Sequence, residues 1–189
     1  ALTPGQVADW LQVASWAGRD DEVIRVWQRY GIYMPLPARA IAAVAQSRRN
    51  QKAWPSALSL WKEALSLAPD NDDYRIGYVK TLADARKDRL ALSEARQLVK
   101  DNPSPAHLET LSYVWMRQGK NRDRLLADMR ALSAAPGNEA LLRETIDALT
   151  DNRVSTPALW LSQNAALSPA ERRRLERNAA AERVRLADV

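Results

Sequence analysis

His107 is the single histidine in this 189-residue sequence, and it finds little to work with. A Ser–His–acid triad needs a serine raised on a strand–turn–helix elbow, and no serine here sits in that setting. His107 follows Pro103 and Pro105 at the opening of a helical pattern, which predicts a surface or groove position. One His and no Cys exclude a thiol nucleophile and a metal centre built on His/Cys clusters. The acidic run Asp70, Asp72 and Asp73 looks like half of a calcium loop, but it lacks the glycine at the sixth place and the bidentate Glu at the twelfth. Helix capping after Pro69 accounts for it better. No glycine-rich phosphate cradle occurs. Twenty-three acids always offer carboxylate pairs for glycoside chemistry, and no spacing singles one out. These residues point away from catalysis, and no cofactor is expected.

The densest basic patch is Arg172, Arg173 and Arg174 with Arg177. Glu171, Glu176 and Glu182 lie at helical spacings beside it, so one reading is a solvated helix face laced with intrahelical ion pairs. The other is a surface for an acidic partner or lipid headgroups. Formal charge is 28 − 23 = +5, spread thinly: eight basic and six acidic residues over 1–70, twelve and nine over 71–135, eight and eight over 136–189. Nucleic-acid binding wants a concentrated basic face, so it is not expected. No run of about 18 apolar residues occurs, and no membrane contact by this segment is expected. The absence of cysteine suits periplasm and cytosol equally. A start at Ala1, with neither initiator Met nor charged-then-apolar leader, suggests a segment of a longer protein.

The elements that would position any site are announced by proline. Pro35, Pro69, Pro103, Pro136 and Pro169 are spaced by 34, 34, 33 and 33 residues. Proline has no N–H and clashes with the preceding turn, so it marks helix boundaries. Five boundaries at one period imply five copies of one unit, about 3–36, 37–70, 71–104, 105–137 and 138–168. The unit matches the tetratricopeptide pattern, a small residue, an aromatic four on, an alanine three further and then a proline. Ala57, Trp61, Ala64 and Pro69 fill those places; Val23, Trp27, Tyr30 and Pro35 hold the same offsets; Ala91, Ala95, Leu98 and Pro103 follow with Ala95 in the aromatic's place. Phe is absent, so seven Trp and five Tyr must supply the large fillers. Their polar edges need partners when buried.

Each unit divides into two helices. Thr3 and Pro4 open the first, Gly18 closes it, and Asp20, Asp21 and Glu22 start the second, where negative charge complements the dipole. Tyr74, Tyr78, Leu82 and Ala85 share one helical face, as do Leu125, Met129 and Leu132. Ser168 to Glu171 forms a capping-box start to a last helix, 169–187, whose Leu175, Ala179 and Leu186 point inward. The expectation is therefore all-α: a right-handed α-solenoid of about five tetratricopeptide-like helix–turn–helix repeats plus a C-terminal capping helix, in a single domain over 1–189.

Stacked pairs line an inner wall with their first helices. The period places there Gln12 and Trp16; Arg39, Gln46, Arg49 and Asn50; Asp73, Lys80 and Asp84; His107, Thr110 and Arg117; and Arg143, Asp147 and Asp151. Of these, Trp16, Arg49, Asp73, Asp84, Arg117, Asp147 and Asp151 are the candidate ligand contacts. A polar wall of mixed charge suits an extended polar ligand, peptide or glycan. Most Trp residues are expected in the core, and Trp16 has the weakest claim to it.

Three stretches carry a resemblance. Ala14-Ser15-Trp16-Ala17-Gly18-Arg19-Asp20-Asp21-Glu22-Val23-Ile24, Asn50-Gln51-Lys52-Ala53-Trp54 and the end from Arg172 to Asp188 resemble the periplasmic repeat region of bacterial poly-β-1,6-N-acetylglucosamine export porins. In that family an outer-membrane β-barrel passes the exopolysaccharide of the biofilm matrix, while periplasmic repeats guide the polymer and engage a partner deacetylase. The resemblance implies a soluble, non-catalytic periplasmic scaffold that contains none of the barrel. Partly deacetylated polymer is cationic and this chain is net basic, so polymer would have to use Asp73, Asp84, Asp147 or Asp151. Otherwise the chain chiefly meets the deacetylase, and its basic surface favours an acidic partner. The alternative is a generic peptide-binding adaptor of another secretion or cellulose-export system, with a nucleic-acid or lipid module third.

Overall fold

The computed structural model of the chain describes the backbone of residues 2–187 and the side chains of residues 2–185. Among these the regular structure is helical: α1 (Pro4–Trp16), α2 (Asp20–Tyr30), α3 (Ala38–Asn50), α4 (Trp54–Leu67), α5 (Asp72–Asp84), α6 (Asp88–Asp101), α7 (Pro105–Arg117), α8 (Asn121–Ala134), α9 (Glu139–Asp151), α10 (Ser155–Leu161), a 3-10 turn Ser162–Asn164, and α11 (Pro169–Ala187). The period thus delivers five helix pairs and one further helix. They fall into two compact units, Ala1–Glu94 and Ala95–Val189, with the division inside α6. In a repeat array each pair contacts only its neighbours, so a period by itself does not reveal how the pairs group.

Every pair turns by the same device. Gly18, Lys52, Arg86, Gly119 and Arg153 have φ between +57° and +72°. The residue after each donates its N–H five residues back, Arg19 to Ala14, Ala53 to Arg48, Lys87 to Leu82, Lys120 to Trp115 and Val154 to Leu149, at 2.9–3.0 Å. That is the Schellman closure, which satisfies the last carbonyls of the first helix. Only two of the five positions are glycine, so three ordinary side chains sit in a left-handed conformation that costs about 1–2 kcal/mol each.

Helix starts follow the sequence expectation. Thr3 and Gln6 form a reciprocal capping box around Pro4. At the acidic run, Asn71 is the cap, accepting from the Tyr74 N–H, and Asp72 and Asp73 occupy the first turn. Ser168 and Glu171 cap α11 reciprocally. The Ser168 contacts hold the Glu171 carboxyl below its usual range.

In the first unit the core joins Val7, Leu11, Val23, Ile41, Val44 and Trp61. Each such aliphatic side chain contributes about 1.5–3 kcal/mol when withdrawn from water. Trp61 plugs the groove as the repeat pattern predicts. Its Nε1 donates to the Thr81 hydroxyl at 3.0 Å, and that hydroxyl donates to the Gly77 carbonyl at 2.7 Å. A buried indole therefore carries a satisfied polar edge. Gly77 is required there: a Cβ at residue 77 would stand 2.5 Å from the ring.

In the second unit, Leu142, Ile146, Leu149, Ala158 and Leu175 form one cluster, and Leu108, Ala131 and Leu141 another. Trp115 is buried, with Arg96 and Lys120 over its ring at 5.6 and 5.0 Å. Three sequence expectations are corrected here. His107 is 1% exposed, not a surface or groove residue, because its Nδ1 sits 2.7 Å from the Asn102 carbonyl and its polar edge is met internally. Thr110 leaves the wall for the core, its hydroxyl bonded to the Ala106 carbonyl of its own helix. Leu125 and Leu132 pack against the core, and Met129 stands half exposed beside Leu132 on the face the three were expected to share. Among the described residues Glu182 makes no ion pair with the arginines of α11; it accepts the Ser155 and Thr156 N–H groups at 2.7 and 2.9 Å, capping α10 from a neighbouring helix. The inward placement of Leu186 lies outside the described side chains.

Candidate functional site

In the first unit, α1, α3 and α5 come together with α4 behind them around a concavity of about 260 Å³. Gln12, Ser15 and Trp16 enter it from α1, Arg39, Ala42, Ala43 and Gln46 from α3, Trp61 from α4, and Asp73 and Tyr74 from α5. Five residues that the period assigned to the inner wall, Gln12, Trp16, Arg39, Gln46 and Asp73, are therefore neighbours in space. The phase of each helix explains it. Positions turned from the core by half a helical turn must share the opposite face.

The surroundings are specific. Trp16 is 77% exposed, an indole held in water on the last turn of α1. Tyr74 and Trp61 stack obliquely, with ring centroids 6.2 Å apart and planes at 41°. Arg39 is spoken for by Asp9 at 2.6 Å, and Gln46 donates to Asn50 at 2.9 Å. Burial raises the Tyr74 hydroxyl above its usual pKa, and the nearby Asp73 charge adds to it against the pull of Arg39. Asp73 itself is exposed and makes no ion pair among the described residues.

The other wall candidates disperse. Arg49 and Asp84 pair with each other at 2.7 Å, both largely buried. Arg117 and Asp147 are exposed on α7 and α9, and Lys80 is half-buried. Asp151 pairs with Arg124 at 2.8 Å. Arg143 reaches the Ala166 carbonyl and Glu171, tying α9 to the start of α11. Asn50 and Gln51 donate to Asp20 and Asp21, which fixes the register of successive pairs. The concavity of about 460 Å³ beside those acids is lined by Asp20, Asp21 and Gln51, engaged in that role, by Glu22, which accepts from the Trp10 indole and from Arg19, and by Arg25.

Two features escaped the sequence. The second unit carries an apolar concavity of about 380 Å³, where Met129, Leu132, Pro136, Leu149, Trp160 and Leu161 meet. Trp160 is 64% exposed there. The second is Asp128, 1% exposed on α8 with Arg124 at 3.5 Å. Burial pushes its carboxyl above the usual range, against the Ser112 hydroxyl and the Arg124 charge. Its helical spacing to Arg124 was visible, but burial of a charge is decided by tertiary packing. Among the described residues no three His, Asp or Glu side chains gather as a metal site, and no helix is long and apolar enough to cross a membrane.

No protein-family model matches the chain. Curated relatives do. The chain is 41% identical over 155 residues, 82% of its length, to the poly-β-1,6-N-acetyl-D-glucosamine export protein of Escherichia coli strain K12, and equally to that of Escherichia coli O157:H7. It spans about a fifth (19%) of the length of those relatives. Among solved structures, a thermophilic TPR protein of Thermus thermophilus superposes with a TM-score of 0.67 at 16% identity, covering 95% of this chain and 98% of that one. MamA of Desulfovibrio magneticus RS-1 gives 0.63 at 13% identity, covering 92% and 95%. At such identities these two establish the fold alone. The chain is a tetratricopeptide-type repeat domain that resembles, over most of its length, a part of the poly-β-1,6-N-acetyl-D-glucosamine export protein.

Proposed function

We propose that this chain is a non-catalytic scaffold segment of a poly-β-1,6-N-acetyl-D-glucosamine export protein. It lies in the periplasm, beside an outer-membrane barrel supplied by other parts of that protein, and it engages the polymer, a polysaccharide deacetylase, or both. The 41% identity over 155 residues carries this reading. The fold supports it, since the stacked helix pairs of the first unit present a concave surface of the kind repeat domains use for binding. The polar concavity of the first unit matches a hydroxyl-rich chain better than an apolar helix. The excess of five positive charges favours an acidic partner surface for the protein arm.

The test is made in the full-length export protein. Excising residues 4–161 from its sequence is expected to abolish exported polymer while the barrel still assembles. The purified chain is expected to retain the deacetylase in a binding assay that weakens with salt. Undiminished export together with no deacetylase binding would refute the proposal. A second reading, a peptide-binding adaptor of another secretion or cellulose-export system, is favoured by one observation, the apolar concavity around Trp160. It expects capture of a short peptide that Trp160→Ala abolishes.

A further inference from the structure

We infer that the concavity of the first unit is a subsite for a single glucosamine residue bearing a free ammonium group, with Asp73 as its counter-charge and Trp16 as its platform. The inference rests on the export reading and deepens it by naming the sugar form recognised. Tertiary packing sorts the four acids that stood on the wall as possible partners for a cationic polymer. Asp84 is neutralised by Arg49, and Asp151 by Arg124. Asp147 is exposed on α9 and is not among the residues lining the concavities described above. Asp73 combines an exposed carboxylate with a recess walled by Trp16, Trp61 and Tyr74.

The recess has the parts that an aminosugar needs. Ala42 and Ala43 keep its floor low, and at about 260 Å³ it lies just below the ~300 Å³ where pockets for drug-sized ligands begin, which suits one pyranose ring with its linkages. A pyranose has an apolar face of axial C–H groups and an equatorial rim of hydroxyls. The Trp16 indole, held in water, offers a flat surface for that face. The Gln12 amide supplies donors and an acceptor for the rim, and Gln46, with one N–H given to Asn50, supplies the other together with its acceptor. An ammonium beside an indole and a carboxylate gains from both the ring quadrupole and the opposite charge. Arg39 adds little repulsion, because Asp9 holds its guanidinium at 2.6 Å. Neutral N-acetylglucosamine forgoes the charge component, so the site discriminates in favour of the deacetylated unit.

The test titrates this chain with β-1,6-linked glucosamine tetramer and its fully N-acetylated counterpart, following tryptophan fluorescence and calorimetry. The amine tetramer is expected to bind about two- to fivefold more tightly than the acetylated one, the scale of one exposed charge pair. Asp73→Asn erases that difference, while Asp147→Asn leaves it intact. Trp16→Ala weakens both tetramers and removes the fluorescence response. Far-UV circular dichroism confirms that each variant is folded. Equal binding of the amine tetramer by wild type and Asp73→Asn would overturn the subsite. If Asp147→Asn is the variant that weakens it, the subsite is wrong and polymer engagement stands. If neither tetramer binds but the deacetylase does, the subsite falls and the scaffold survives on its protein arm. Failure of both removes both readings.

Discussion

Replacing Gly77 by alanine tests the packing logic of the first unit most sharply. The new methyl would stand 2.5 Å from Cζ2, 2.6 Å from Cη2 and 2.9 Å from Cε2 of Trp61. Ordinary contact begins at 3.4 Å, so the ring would have to retreat by 3.4 − 2.5 = 0.9 Å. Retreat breaks or bends the 3.0 Å hydrogen bond from its Nε1 to Thr81. Overpacking of this kind costs about 1–3 kcal/mol. Against it, alanine gains about 0.5–1 kcal/mol over glycine inside a helix. The net expectation is a loss of up to about 2.5 kcal/mol in urea unfolding followed by far-UV circular dichroism. The decisive arm is the same change made in a Trp61→Leu background. Trp61→Leu alone costs about 2–4 kcal/mol, but it empties the space the methyl needs. Gly77→Ala should then turn stabilising by about 0.5–1 kcal/mol. A destabilisation of equal size in both backgrounds would refute the reasoning, because it would mean that the methyl never met the ring.

Three further outcomes are expected. Lys52→Gly relieves a left-handed residue at φ +59° and should raise the melting temperature, with a gain of up to about 1 kcal/mol after glycine's entropy is subtracted; an unchanged or lower melting temperature counts against it. Burial raises the folded-state Asp128 carboxyl above its unfolded value near 3.8, so the folded chain holds that proton more tightly. Its stabilising share is full below that value and is lost as pH rises through the folded-state pKa, and urea midpoints of wild type minus Asp128→Asn should fall across that window. Glu182→Ala uncaps α10 at Ser155 and Thr156, costing about 1–2 kcal/mol, and hydrogen exchange across Ser155–Leu161 should accelerate while the first unit is unaffected.

What the sequence determined by itself was everything set by period. Proline spacing and the small–aromatic–alanine pattern located the helix pairs to within a few residues, because a missing N–H and the 3.6-residue turn act locally. The same period put Gln12, Trp16, Arg39, Gln46 and Asp73 on one surface. It missed the left-handed Lys52, Arg86 and Arg153, since no glycine signals them and only the hydrogen-bond geometry of the turn demands the conformation.

Tertiary structure decided which polar residues remain available. Arg49 and Asp84 are 35 residues apart and find each other at 2.7 Å, as Arg124 and Asp151 do across 27. His107 and Asp128 disappear into the core, and Glu182 leaves its own helix face to cap another. Pairing across a repeat depends on distances between helices, and those follow from how side chains fill the space between them, as Trp61 fills the space left by Gly77. Helical phase says which way a residue faces; only packing says what it meets there.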